Sequence, residues 1–182
     1  MDITQGSILI AQPFLQDGYF KRSVIYLCEH TEHGSLGFIM NRPQGLLLRD
    51  VFPHIKNGNF PVFEGGPVSS NQLYYIHTLG EKLSDSLEIT KGVYWGGNFF
   101  ELAHLIEHGK IRSGQVRFFV GYSGWEANQL DEELIGNTWF LQPSVYDELI
   151  QVKPTELWGT ELTKLNPGYR AFSDFSHDPS LN

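Results

Sequence analysis

The sequence predicts an α+β fold in a single domain, and three observations carry that prediction. The length of 182 residues suits one domain with a sizeable core. Short apolar and β-branched runs bounded by turn residues dominate the first half, with few helical patterns among them. Strands and helices then mix in the second half, without the regular alternation of a doubly wound sheet. The domain is expected over residues 1–170. Residues 171–182 are read as a C-terminal tail, polar from Ser173 on, which docks only if Phe172 or Phe175 anchors it.

The elements follow in order. Gly6 to Ala11 is a short apolar strand ended by Gln12-Pro13. Ser23 to His30 is a strand rich in β-branched and aromatic residues. Thr31 to Gly34 turns the chain, and Ser35 to Met40 returns it as a hairpin. Asn41-Arg42-Pro43 stops that strand, because proline cannot donate to a central ladder. Leu46 to Phe52 reads as a short helix. Phe60 to Val68 is a strand broken at Gly65-Gly66-Pro67, where the backbone needs an unusual φ or a close approach. Leu73 to His77 is a strand, and Ser86 to Ile89 pairs with Val93 to Trp95 around Lys91-Gly92.

Asn98 has the position of an N-cap, with Glu101 three residues on. Phe99, Leu102 and Ile106 share a helical face, and Gly109 follows the last turn. Gln115 to Tyr122 is the next strand. Ser123 and Glu126 have capping-box spacing, so a helix is expected from about Trp125 to Ile135. Thr138 to Leu141 is a strand, Ser144 caps a short helix to about Ile150, and Pro154 opens a last helix stopped by Asn166-Pro167-Gly168.

Composition narrows the function. The formal net charge is −8, and the 13 Lys and Arg residues are scattered with no run of three. Nucleic-acid affinity rests on clustered cations, so a bulk phosphate binder is disfavoured. No stretch approaches a membrane span. The N-terminus lacks a secretory signal, and the single Cys28 suits a reducing cytosol, so a cytoplasmic location is expected.

Gly121-Tyr122-Ser123-Gly124-Trp125 invites comparison with a nucleophile elbow, which needs Gly-x-Ser-x-Gly. The second glycine comes one residue early, so Ser123 is read as a cap and no catalytic residue is assigned. The same turn leads into a helix N-terminus, which could receive an anion, although Glu126, Asp131, Glu132 and Glu133 crowd it. Cys28, His30 and His33, or His104 and His108, have partial metal-ligand spacing, but neither set completes a site. No metal and no cofactor are expected. Arg42 is a candidate anion clamp or an ion-pair partner of Glu64. The ligand site is therefore sought at Asn41, Arg42, Gly65, Gly66, His77, Gly121, Gly124, Trp125 and Gln129. His77 also has the simpler reading of a satisfied core hydrogen bond.

Taken in order, Gly6-Ser-Ile-Leu-Ile-Ala-Gln-Pro13, Phe20-Lys-Arg-Ser-Val-Ile25, His30, Gly34-Ser-Leu-Gly37, Asn41-Arg-Pro43, Gly65-Gly-Pro-Val68, His77 and Gly121 to Trp125 with Gln129-Leu130 and Glu133 form a distinctive series. This series resembles the AlgH/YqgE family of bacterial proteins. The resemblance covers roughly Gly6 to Leu165. It departs at Asn128, where the family often has glycine, and at Asp131, where it often has glutamate. It implies a mixed, curved or barrel-like sheet with flanking helices, and a bacterial source. The family also carries a label of transcriptional regulator, but nothing in this chain reads as a helix-turn-helix. The first expectation is a non-enzymatic regulatory or binding protein, linked to transcriptional regulation without direct DNA contact and acting through a protein or small-molecule partner. The alternative is an enzyme or ligand-responsive protein that binds a nucleotide or another anionic metabolite.

Overall fold

The computed structural model describes residues 2–173. Ten strands and six helices occur among them. The strands are β1 (Ser7–Ala11), β2 (Val24–Thr31), β3 (Gly34–Ile39), β4 (Pro43–Leu47), β5 (Pro61–Glu64), β6 (Val68–His77), β7 (Ser86–Thr90), β8 (Val93–Gly96), β9 (Val116–Glu126) and β10 (Trp139–Pro143). The helices are α1 (Leu48–Val51), α2 (Phe99–Glu107), α3 (Gln129–Ile135), α4 (Tyr146–Gln151), α5 (Pro154–Leu165) and α6 (Arg170–Ser173). The strands form one sheet curled into a half-barrel, in the order β10-β1-β2-β3-β9-β6-β8-β7, with β5 also paired to β9 and β4 to β5. Only the β5–β9 pair is parallel, which makes the sheet mixed.

The period of two in the strands explains the core. Along β1 and β2, Ile8, Ile10, Val24, Tyr26 and Cys28 enter one cluster, while Leu9, Ala11, Ile25 and Leu27 enter another. Both faces are covered, so these strands read as continuous apolar runs rather than alternating ones. The helix α5 closes the first cluster with Leu157, Trp158 and Leu162. A third cluster lies under α2, whose Leu102 and Ile106 meet Phe118 of β9 and Tyr75 of β6.

The strand β9 organises the sheet. Its residues Phe118 to Val120 pair with β5, and Ser123 to Glu126 pair with β3, while β6 takes the other edge. The partner changes at Gly121, whose φ of +70° bends the strand without ending it. This corrects the helix-cap reading of Ser123. Ser123 lies within β9, opposite Gly37, and is fully buried. Its hydroxyl donates to the Gly65 carbonyl at 3.0 Å. The helix begins only at Gln129, after Asn128 at φ +64°. Asparagine is the non-glycine residue best suited to that left-handed conformation.

Other differences are local. Residues 43–47 are a strand paired with β5, because the Pro43 nitrogen has no ladder bond to lose at this outer position. Val145, not Ser144, occupies the cap position of α4. Asn98 caps α2 as expected, accepting from the Phe100 and Glu101 N–H groups, but Glu101 turns to Ser84 instead of closing a box. Phe172 packs edge-on against Phe14, with ring centroids 5.3 Å apart, so the last helical turn docks beyond residue 170. Phe175 lies outside the described residues.

Candidate functional site

Eight of the nine residues sought from sequence occupy four settings, and Gly124 lies apart from them. Gly65, Gly66 and Gly121 meet in one backbone crossing. A Cβ on Gly66 would lie 2.1 Å from the Tyr122 carbonyl carbon, and one on Gly121 would lie 2.4 Å from the Gly66 oxygen. Their glycine identity follows from this close approach. Gly124 is exposed on the far part of β9, with Tyr122 as its nearest neighbour.

Trp125 and Gln129 belong to a second setting, centred on Glu133. The Glu133 carboxylate accepts from Trp125 Nε1 at 2.9 Å, Trp139 Nε1 at 2.7 Å and Gln129 Nε2 at 2.8 Å. Gln129 Oε1 in turn accepts from the Glu126 N–H. This network ties α3 to β9 and β10.

His77 forms a third setting and is fully buried. Its Nδ1 accepts from the Leu79 N–H at 3.2 Å, so Nε2 carries the proton. Nε2 donates to the Gly96 carbonyl at 3.1 Å, with the Ser86 hydroxyl at 3.0 Å. Burial lowers the His77 pKa, which favours the neutral ring, and the bond to Gly96 pulls weakly the other way.

Asn41 and Arg42 form the fourth setting, and they line an open groove of about 1000 Å³ between the Lys21-Arg22 turn and α5. Asn41 acts in place of a backbone partner. Its Oδ1 accepts from the Val24 N–H at 3.0 Å, and its Nδ2 donates to the Arg22 carbonyl at 2.8 Å. Arg22 has φ +57°, a conformation that costs a non-glycine residue about 1 kcal/mol. The Asn41 clamp and the packing of the Arg22 guanidinium 5.1 Å from the Trp158 ring hold it there. Trp158 is itself pinned by its Nε1, which donates to the Ala11 carbonyl at 2.8 Å. Arg42 donates to the Tyr19 carbonyl and to the Ser23 hydroxyl, and pairs with Glu64 at 3.6 Å.

The groove concentrates positive charge. Among the described residues, Lys21, Arg22, Arg42, Lys164 and Arg170 line it together with one carboxylate, Glu156. Those are five of the 13 Lys and Arg residues of a chain whose net charge is −8. Glu64 partly offsets Arg42, and the buried Glu161 offsets Lys164 at 2.9 Å. The bond to Glu161 raises the Lys164 pKa and keeps the ammonium charged. Glu156 is itself paired with Lys153 at 3.2 Å. Lys21 and Arg22 meet no carboxylate among the described residues, so they carry the uncompensated charge. Thr155, Thr160 and Thr163 add hydroxyls along α5.

Sequence reasoning reached Asn41 and Arg42 but missed the rest of this lining. The available signal was Lys21-Arg22, the one adjacent basic pair in the chain. Lys164 and Arg170 gave no local signal, because only the packing of α5 against β1 and β2 brings them near residue 22. Of the partial metal sets, the His104 and His108 rings lie side by side with centroids 4.1 Å apart, whereas Cys28 and His33 sit in different surroundings. Cys28 is buried in the first cluster with its thiol pKa pushed well up by burial, whereas His33 is exposed on the turn. His108 Nδ1 is engaged with the His104 carbonyl at 2.8 Å.

With this geometry in hand, comparison with known proteins is decisive for kinship. An AlgH-like family model matches residues 8–170. The chain belongs to the AlgH-like family. A UPF0301 protein of Parabacteroides distasonis is 41% identical over 98% of this chain and 91% of its own length. One from Bacteroides fragilis is 40% identical with the same coverage. The solution structure of the AlgH protein from Pseudomonas aeruginosa matches with a TM-score of 0.76 and 26% identity, covering 98% of this chain and all of that one. A crystal structure from Corynebacterium diphtheriae, at 20% identity, has the same TM-score and shows the shared fold. The half-barrel with β9 at its centre is thus an AlgH-like architecture. No helix among the described residues is long and apolar enough to cross a membrane.

Proposed function

We propose that this AlgH-like protein is a non-enzymatic binding protein that takes a small anionic metabolite, such as a nucleotide, in the groove between the Lys21-Arg22 turn and α5. The carrying observation is the gathering of Lys21, Arg22, Arg42, Lys164 and Arg170 on one face of an acidic chain. Like-charged side chains repel, and a bound anion relieves that repulsion. The groove offers fixed positive charge, hydroxyls and an amide. These are donors for recognition rather than groups poised for proton transfer. The strained Arg22, held by Asn41, fits a preformed recognition turn.

The anion is small. A nucleic-acid polyanion would extend past the groove and meet the negative remainder of the surface. The binding output is regulatory in this reading, with occupancy of the groove sensed by a partner in the cytoplasm. The lone Cys28 thiol fits a reducing compartment.

A thermal-shift panel with inorganic pyrophosphate, AMP, ATP and citrate, at ionic strength matched with sodium chloride, tests the reading. Binding to the native state raises the apparent Tm with ligand concentration. A concentration-dependent rise with at least one of these anions is the expected result. Flat melting temperatures across the panel would overturn it.

A further inference from the structure

A second cavity, of about 400 Å³, shares no lining residue with the basic groove. It opens between β5, the segment leading into β9, and α4. Phe60, Phe63, Ile111, Val116 and Ile150 give it apolar walls, and among the described residues Arg117 is the only charged one in its lining.

Arg117 is half-buried on β9, and burial lowers its pKa, with the charged form disfavoured by lost hydration. Its Nη1 donates to the Met40 carbonyl at 3.0 Å, and its guanidinium lies 4.5 Å from the Phe63 ring centre. Among the described residues it pairs with no carboxylate. A guanidinium carries five N–H donors in a planar fork. Packing on Phe63 uses its face and leaves the edge of the fork available for in-plane bonds. The neighbouring Tyr146 hydroxyl is buried and has no hydrogen-bond partner among those residues. The positive charge of Arg117 acts to hold the Tyr146 pKa down, against the larger upward effect of burial.

A half-buried cation without a counter-charge is costly, and a ligand that brings one negative charge relieves the cost. The lining supplies one cation, a few neutral polar side chains at Asn57, Asn59 and Ser113, and apolar walls, so the matching ligand has one carboxylate and an apolar body. A phosphate dianion would call for a second positive charge. The cavity volume falls within the range of small-ligand pockets. We propose that this cavity binds a hydrophobic monocarboxylate, with the carboxylate on the Arg117 fork and the apolar body against Phe63, Ile111, Val116 and Ile150.

The test is a ¹H–¹⁵N NMR titration of the full chain with 3-phenylpropionate, beside its neutral isostere 3-phenylpropionamide. The Ser113, Gly114 and Arg117 amides are expected to shift and saturate with the acid and not with the amide. Arg117→Gln is expected to weaken the response about tenfold or more, whereas Lys21→Glu, in the other groove, leaves it unchanged. If Arg117→Gln does not fold, Ser113→Trp on the exposed rim fills the entrance with Arg117 intact, and binding must be lost. Equal response to acid and amide would overturn the proposal. So would retained binding in the folded variants, shifts centred on the Lys21 turn, or no saturable shift at all.

Discussion

The Ser123 hydroxyl donates to the Gly65 carbonyl at 3.0 Å, and this bond locks the point where β9 exchanges β5 for β3. The same carbonyl also accepts from the Ile39 N–H at 3.0 Å. Ser123→Ala therefore removes one of two donors and leaves the acceptor paired. The expected loss is about 1 kcal/mol of stability in urea denaturation. Anion binding at the basic groove, which Ser123 does not line, should be unchanged, and a loss of binding in that variant would point to a direct role for Ser123.

The glycine crossing is less forgiving. Gly66→Ala forces a Cβ to within 2.1 Å of backbone atoms that cannot swing aside. It should cost about 3 kcal/mol or more and lower the soluble yield. Gly45→Ala is the control. Gly45 also has a positive φ, of +72°, but its Cβ would meet nothing within 4 Å. Its cost should stay near 1 kcal/mol. Equal losses in the two variants would contradict the steric account.

Glu133 serves two buried indoles at once. Glu133→Ala orphans both N–H groups and should cost about 2–4 kcal/mol, because each unpaired buried donor is penalised separately. Glu133→Gln keeps one acceptor oxygen and should cost less. Denaturation followed by tryptophan fluorescence reads both, and a Glu133→Ala variant of native stability would contradict the network.

His77 predicts a pH dependence whose sign is fixed by its environment. Burial lowers the folded-state pKa below the ordinary value of 6.5. The neutral ring is thus favoured by folding, and this contribution is complete above the unfolded pKa. It is lost as the pH falls through the depressed folded pKa, when Nδ1 takes a proton and drops the Leu79 N–H. Stability should therefore fall as the pH drops through and below the ordinary value of 6.5, and less steeply in His77→Gln, whose amide oxygen can still accept. Identical slopes in the two proteins would contradict the assignment.

The fold was legible in the sequence wherever the period of the side chains decided it. The apolar runs at β1, β2 and β3, the Asn98 cap and the Pro154 helix start each had a local signal that tertiary contacts did not override. The Ser123-to-Glu126 spacing misled because a bend at Gly121 keeps the strand going for five more residues, an outcome set by pairing with β3. The site was only half legible. Asn41 and Arg42 stand at a visible strand end, but Lys164 and Arg170 reach the same groove from over 100 residues away. Long-range packing leaves no periodic trace, and scattered cations in an acidic composition conceal a cluster formed only in three dimensions.

Isothermal titration of the folded protein with inorganic pyrophosphate, at low and then moderate salt, tests the central claim most directly. Wild type should bind saturably, with affinity falling as salt rises, and Lys21→Glu should weaken binding about tenfold or more. The absence of saturable heat in wild type, or equal affinity in a natively folded Lys21→Glu, would contradict the assignment of the groove as an anion site.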